Sequence, residues 1–324
     1  MGSSIRTINS EVEIKQDLYR SFKLTRAFEQ KAFYLGKGAQ IYYDKLNIEG
    51  KSHIKPVMKQ EDLFIFFKEN IACGKEPIAF VSLGCGNSKR EKEVLKRVHD
   101  TGYEIIYFGV DSSMTMLQSA EQTLLDCPFE KVFICADFSL DSFKRELNKL
   151  LKAYNKRVFA LFGNTLGNVP QNFIADTLRN ILKKGDILWL EVLTVKDLDD
   201  ETAAKQFECY LRYISDPDTK SFFTYPLQEI GINPEDGELI VEMKKEQIIN
   251  SLLFIFSFKA NKKIEFLVED EIVTLLPEST IEMLDIMAYS KEELIKFFET
   301  RQFKFKSSGS NKAGGPVQFA FEKL

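Results

Sequence analysis

Three short stretches of the chain end on residue types that suit a nucleoside. "VSLGCGNSKREKEVL" (Val81–Leu95) sets Gly84 and Gly86 on either side of a cysteine, between an apolar run and a charged, helix-favouring one. Bare backbone at such a turn lets a ligand approach the main chain closely. The helix that starts near Ser88 offers unpaired N–H groups to a polar or anionic partner. "EIIYFGVDSS" then ends an apolar run on Asp111, where a carboxylate accepts hydrogen bonds from ribose hydroxyls. "KVFICADF" ends on Asp137 and Phe138, an acceptor beside an aromatic face that suits an adenine amine and ring. A tight strand-to-helix turn would by itself account for the glycines. A dinucleotide fingerprint, G-x-G-x-x-G, would account for two of the three features, but its third glycine position holds Lys89, and no G-K-[ST] of a P-loop is present.

Strand ends that share a ligand need strands that point the same way. From Glu61 onward the text alternates: helix in "EDLFIFFKENI", strand in "IAFVSLG", helix in "KREKEVLKRVHDTG", strand in "EIIYFGVD", helix in "SMTMLQSAEQTLL", strand in "KVFICADF". It continues with helix in "LDSFKRELNKLLKAY", strand in "RVFALFGN", helix in "NFIADTLRNILKKG" and strand in "DILWLEVL". Apolar strands alternating with helices predict a parallel sheet covered on both faces. From Val195 to about Glu282 the alternation stops, and "SLLFIFSFKANKKIEFLVEDEIVTLL" predicts antiparallel strands joined by a turn at Asn261. Tyr289 to Thr300 predicts a helix, and "QFKFKSSGSNKAGGPVQFAFEKL" a terminal hairpin. The expected organisation is an α/β core of residues 61–195 and 284–324, an inserted α+β substrate domain at 196–283, and an N-terminal helical lid segment, 1–60, packing with the insertion.

Composition excludes several classes of function. A formal net charge of -4 with no long basic run argues against nucleic acid or an anionic membrane as partner. No apolar run approaches the roughly 20 residues that span a bilayer, and "MGSSIRTINSEVEIKQ" lacks the apolar centre of a signal peptide. A cytoplasmic protein is expected, with the oligomeric state open and a monomer included. The five cysteines form no CxxC pair, so reduced thiols are expected, Cys85 among them as a small buried group. Only His53 and His99 are present, which leaves no material for a His-based zinc site and two candidates for the base of a triad. "KREKEVLKR" reads as a solvated helix face, and Tyr34, Tyr42 and Tyr43 read as core or site aromatics.

The glycine turn with Asp111, Asp137 and Phe138 resembles the class I S-adenosylmethionine-dependent methyltransferases, and "FAFEKL" as a last, antiparallel strand fits that fold. Three further blocks, "FALFGNTLGNVP" (Phe159–Pro170), "EVLTVKDL" (Glu191–Leu198) and "AFYLGKGAQIYYDKL" (Ala32–Leu46), are similar to blocks of the histidine Nα-methyltransferases of ergothioneine biosynthesis. The resemblance implies a Rossmann-like, seven-stranded methyltransferase sheet with S-adenosylmethionine as cofactor. Gly84, Gly86, Ser88, Asp111, Asp137 and Phe138 would contact that cofactor, with Gly163 lining both it and the reaction site. Tyr34 would lie near the substrate amine, and Asn168 would bind the amino or carboxylate groups of an amino acid. The family's late Glu-x-Ser pair, which grips imidazole, falls on Leu284 and Ile286; its tyrosine pair is absent, with Ser52 and His53 near the place. The implied function is methyl transfer to an amino acid or small amine related to histidine and distinct from it. A protein or peptide N-terminus as acceptor, or a non-catalytic cofactor-binding module that docks a partner, are the alternatives.

Overall fold

The structure, a computed structural model, describes residues 5–42, 44, 60–71, 76–195, 200–246, 249, 251–309 and 316–324; Tyr43, Ser52, His53 and Cys73 lie outside them. In chain order the elements are β1 (Arg6–Thr7), α1 (Glu11–Thr25), α2 (Lys37–Ile41), α3 (Gln60–Asn70), β2 (Ile78–Leu83), α4 (Lys89–Asp100), β3 (Ile105–Asp111) and α5 (Met114–Thr123). They continue with β4 (Glu130–Cys135), α6 (Asp141–Leu150), β5 (Lys156–Leu161), α7 (Gln171–Ile181), β6 (Ile187–Val192), α8 (Asp200–Ser215) and α9 (Pro217–Glu229). The remainder are β7 (Gly237–Glu246), β8 (Ser251–Ala260), β9 (Ile264–Val268), β10 (Glu271–Leu275), β11 (Thr280–Ala288), α10 (Lys291–Glu299), β12 (Phe303–Gly309) and β13 (Val317–Lys323). Among the described residues no helix is long and apolar enough to cross a membrane.

The chain divides into two units, one of Met1–Ser10, Ile54–Thr194 and Lys291–Leu324, the other of Glu11–His53 and Val195–Ser290. At two of the bounds that differ from the expected ones, strand pairing gives the physical reason. The described residues before α1 go with the large sheet because β1 pairs in parallel with β4, Arg6 opposite Ile134 and Thr7 opposite Cys135. Residues 284–290 stay with the second unit because β11 runs to Ala288, paired along its length with β8, and the following helix starts only at Lys291.

In the first unit the sheet order is β1-β4-β3-β2-β5-β6-β13-β12, eight strands where seven were expected, the two-residue β1 being the addition. Strands β2, β3 and β6 are buried at every position, as parallel strands covered by helices on both faces must be. Trp189 centres the core, its ring 5.7 Å from Phe67, 5.8 Å from Phe66 and 4.9 Å from Phe162. A buried, bidentate Arg157–Asp186 pair, at 2.8 and 2.6 Å, ties the start of β5 to the residue before β6. The chain moves outward on one side from β2 to β3 and β4, then returns to the other side of β2 for β5. That reversal makes the carboxyl end of β2 the switch point of the sheet, which is where open α/β sheets take ligands.

The second unit holds an antiparallel sheet β11-β8-β7 and a separate β9-β10 hairpin. The expected hairpin about Asn261 does not form, since β8 pairs with β7 and β11 while β9 pairs only with β10. Strand β8, "SLLFIFSFKA", is buried on both faces for nearly its whole length, so it must be central and take a neighbour on each side. Its Phe254 and Phe256 pack against Tyr210 of α8, tilted at 4.6 Å and edge-to-face at 5.4 Å between ring centroids. The N-terminal segment is held to β11 by main-chain bonds: Phe28 donates to Glu282 at 2.9 Å and Glu282 to Arg26 at 3.3 Å.

One group in this unit titrates in a useful range. Asp285 on β11 has a buried Oδ1 without a hydrogen-bond partner, and burial, with Glu282 adding to it, pushes its carboxyl from 3.8 up to about 7. A raised folded pKa means the folded state holds the proton where the unfolded chain has released it, so this contribution is complete below about pH 4 and lost as pH rises through about 7. Asp285→Asn stays neutral throughout. It should melt close to the wild type at pH 4 and about 2–5 °C higher at pH 8; scanning calorimetry showing the same difference at both values would contradict this.

Candidate cofactor and acceptor site

At the carboxyl end of β2 the chain turns on residues that leave its main chain bare. Gly84 and Gly86 have φ of 69° and 51°, and a Cβ at Gly86 would meet nothing within 4 Å. The turn is fastened to the next strand end: the amides of Gly84 and Cys85 donate to the Val110 carbonyl at 2.9 and 3.0 Å. Gly86 donates to Asp111 Oδ2 at 2.9 Å while Ser113 donates to Oδ1 at 2.9 Å. A single carboxylate therefore joins the glycine turn to the start of α5. The Ala136 amide in turn donates to the Asp111 carbonyl at 3.0 Å, which brings the third strand end alongside.

Ser88 is placed differently from the expectation. It takes the left-handed conformation, φ 56°, and its hydroxyl points inward to the Tyr107 hydroxyl at 2.7 Å, leaving only 1% of the residue exposed. Its main chain is engaged as well, the amide donating to the Cys85 carbonyl at 2.9 Å and the carbonyl accepting from the Lys92 amide at 3.0 Å. The run "KREKEVLKR" is not a uniformly solvated face either. Glu91 falls on the same stripe as Val94, Leu95 and Val98 and is buried, accepting a hydrogen bond from the Ser82 hydroxyl at 2.5 Å, and burial pushes its carboxyl up. Burial also pushes the Cys85 thiol well up, with Asp111 adding to it, so Cys85 is a packed thiol rather than a nucleophile.

Asp137 and Phe138 follow β4. Asp137 is 8% exposed, and its Oδ1 accepts from the Ser139 amide at 2.9 Å and from the Ser139 hydroxyl, which fixes the side chain at the strand end. Phe138 is half-buried beside it. Gly84, Gly86, Asp111, Asp137 and Phe138 thus share one edge of the parallel sheet.

The turn after β5 shares that edge. Gly163 and Asn164 are both left-handed, at φ 67° and 62°. Asn164 donates through its amide to the Glu191 carbonyl at 3.2 Å and accepts at Oδ1 from the Leu193 amide at 2.9 Å. A Cβ on Gly167 would lie 2.4 Å from the Asn164 carboxamide, so glycine is required there. The short 3-10 turn Thr165–Asn168 ends on Asn168, whose Oδ1 is buried with no hydrogen-bond partner. Space is also open at Gly163, where a Cβ would meet nothing within 4 Å.

Three residues of this edge escaped the sequence reading. Asn87, inside the glycine turn, has a buried Nδ2 with no partner while its Oδ1 accepts from the Lys89 amide at 3.2 Å. Glu191 accepts from the Gly163 amide at 3.1 Å and pairs with Arg90, which the sequence pattern places on a solvated helix face. The signal for Glu191 was present, a single acid in the otherwise apolar "ILWLEV".

In the second unit Tyr34 sits in an aromatic group, its ring 5.1 Å from Tyr42 and 5.4 Å from Phe222, with Tyr42 and Phe222 5.5 Å apart. Phe33 and Phe222 are fully buried, whereas Tyr34 and Tyr42 are half-buried. Leu284 and Ile286 pair across the sheet with Phe256 and Phe254, on the face that carries Tyr210. They are apolar groups on an apolar face, and the bulge between Glu282 and Leu284 interrupts the alternation just before them.

A family model described as "Histidine-specific methyltransferase, SAM-dependent" matches residues 13–203. Comparison with curated proteins gives no match. Similar solved structures include an S-adenosylmethionine-dependent methyltransferase from Clostridium acetobutylicum ATCC 824, 12% identical with a TM-score of 0.42 over 89% of this chain and 98% of that one. A Pyrococcus horikoshii OT3 protein is 12% identical with a TM-score of 0.46 over 90% and 100%. The Burkholderia thailandensis 1,6-didemethyltoxoflavin-N1-methyltransferase, with 1,6-didemethyltoxoflavin and S-adenosylhomocysteine bound, is 9% identical with a TM-score of 0.43 over 98% and 91%.

The residues present fit S-adenosylmethionine. Open space beside Gly86 and Gly163, two carboxylates at neighbouring strand ends, and the unpartnered buried amide atoms of Asn87 and Asn168 are what a polar nucleoside ligand would occupy and satisfy. Asp111→Ala should weaken binding of S-adenosylhomocysteine by about 1.5–3 kcal/mol, the range for a charged hydrogen-bond partner. Calorimetric titration showing unchanged affinity would remove Asp111 from the site.

Proposed function

Because the chain belongs to the family of S-adenosylmethionine-dependent, histidine-specific methyltransferases, we propose that it N-methylates an amino acid or small amine that is related to histidine and distinct from it. The observation that carries this reading is Asn168, a carboxamide with a buried, unpartnered oxygen at the end of a turn fixed by Gly163, Asn164 and Gly167. A carboxamide both accepts and donates, so it can hold an amine N–H on one side and a carboxylate on the other without ionising.

The bound cofactor supplies a sulfonium methyl group to an attacking nucleophile. The chain's part is to hold the reactants and exclude water. Asp111 is the candidate for the ribose hydroxyls, Asp137 and Phe138 for the adenine, and the main chain at Gly84, Gly86 and Gly163 for the remainder of the cofactor. An aliphatic amine is largely protonated at neutral pH. Asn168 cannot take that proton, so its oxygen serves to orient the neutral amine while the proton leaves to water. For Tyr34 the support is the resemblance of its block alone, which implies a place near the substrate amine.

The choice against histidine rests on Leu284 and Ile286, which offer an imidazole neither a carboxylate nor a hydroxyl. In a mass-read screen of amino acids and small amines, histidine should turn over at least about tenfold more slowly than the best acceptor. Efficient trimethylation of histidine would reject this part of the proposal.

Asn168→Ala should cost on the order of a hundredfold in single-turnover methyl transfer, the scale of lost alignment, while cofactor affinity changes little. Affinity and transfer are measured on the same preparation. Loss of both in parallel, or of neither, would make Asn168 a loop-shaping residue.

A further inference from the structure

Strand β6 is buried along its whole length and apolar at every position but one. Ile187, Leu188, Trp189, Leu190 and Val192 fill the core, while Glu191, 2% exposed, sets a carboxylate among them. Burying a carboxylate is unfavourable unless it is paired and hydrogen-bonded, so packing alone would be better served by an apolar residue. The partners of the charge indicate its use. Oε1 accepts from the Gly163 amide at 3.1 Å and pairs with the Arg90 guanidinium, and Oε2 accepts from the Gln318 carboxamide at 2.6 Å. The main-chain oxygen of Glu191 also accepts from the Asn164 amide at 3.2 Å. Gly163 and Asn164 are the two consecutive left-handed residues that start the turn to Asn168. Arg90 lies in the first turn of α4, directly after the Gly84–Ser88 turn. The same buried carboxylate therefore touches the cofactor-side helix and the acceptor-side turn.

We infer that Glu191 is a positioning residue, holding the Gly163–Asn168 turn in fixed register with the start of α4 so that Asn168 is presented in one place. The inference rests on the proposed role of Asn168, but the coupling of the two turns is a property of the fold and can be read without any acceptor. Gln318, from β13, holds the second oxygen and so limits rotation of the carboxylate. Glutamine at position 191 would keep the shape and one acceptor oxygen but lose the charge opposite Arg90. Aspartate would keep the charge but, one methylene shorter, could not reach both Gly163 and Arg90.

The test compares the wild-type chain with Glu191→Gln and Glu191→Asp by amide hydrogen exchange, melting temperature and titration with S-adenosylhomocysteine. Amides 163–168 should exchange about tenfold or more faster in Glu191→Gln, those of β3 and β4 should stay within about twofold, and the affinity for the probe should fall by no more than about fivefold. With an acceptor in hand, Glu191→Gln and Asn168→Ala should combine less than multiplicatively in kcat/KM, with kcat falling more than KM rises. Unchanged exchange at 163–168, or a rise in step with β3 and β4, would overturn the inference by making Glu191 either idle or a general core residue. Should Glu191→Gln fail to fold, Glu191→Asp carries the same comparison. Transfer to no acceptor at all, with the exchange pattern as expected, would sink the reading of Asn168 while supporting the coupling; transfer intact with a flat exchange pattern would do the reverse.

Discussion

Two hydrogen bonds to the Asp111 carboxylate, from the amides of Gly86 and Ser113, hold the candidate site together. They join the turn after β2 to the helix start after β3, on the side of β2 away from β5. Without a carboxylate there, the glycine turn would keep only its main-chain bonds to Val110. The Ala136 amide, which donates to the Asp111 carbonyl, then extends the arrangement to Asp137 and Phe138. A nucleoside needs acceptors for its ribose and its base in fixed relation, and three parallel strands deliver them at a spacing set by the sheet.

That arrangement is strained locally and supported from below. Five left-handed residues lie at this edge: Gly84, Gly86, Ser88, Gly163 and Asn164. For the two that are not glycine the conformation costs about 1 kcal/mol or more each, and such strain persists only where the surroundings dictate it. Here the surroundings are specific. Tyr107 takes the Ser88 hydroxyl, the Leu193 amide takes the Asn164 carboxamide, and the aromatic core about Trp189 lies beneath the strands. The carboxyls placed inside that core are each hydrogen-bonded, Glu91 to the Ser82 hydroxyl on β2 and Glu191 to the Gly163 amide at the turn after β5.

How far the chain could be read without its structure differs by scale. Strand and helix alternation from β2 to β6 was legible because a parallel sheet imposes long apolar runs with polar breaks, and Gly84, Gly86, Asp111 and Asp137 stand out at the ends of those runs. Contacts set by tertiary packing were not legible. Ser88 looks like a ligand contact until Tyr107 is known to lie beneath it, and "KREKEVLKR" looks solvated until Glu91 is known to face Ser82. The pairing of β8 with β7 and β11, rather than with β9, depends on which neighbour buries its second face, and local pattern does not carry that information. Strand β1 is two residues long, too short for any periodic signal.

The most direct test of the account is a crystal structure of the protein with S-adenosylhomocysteine. The account predicts ribose hydroxyls within about 2.6–3.2 Å of the Asp111 carboxylate, the adenine against Asp137 and Phe138, and the sulfur end directed toward Gly163 and Asn168. A nucleoside bound away from the carboxyl ends of β2, β3 and β4 would contradict it.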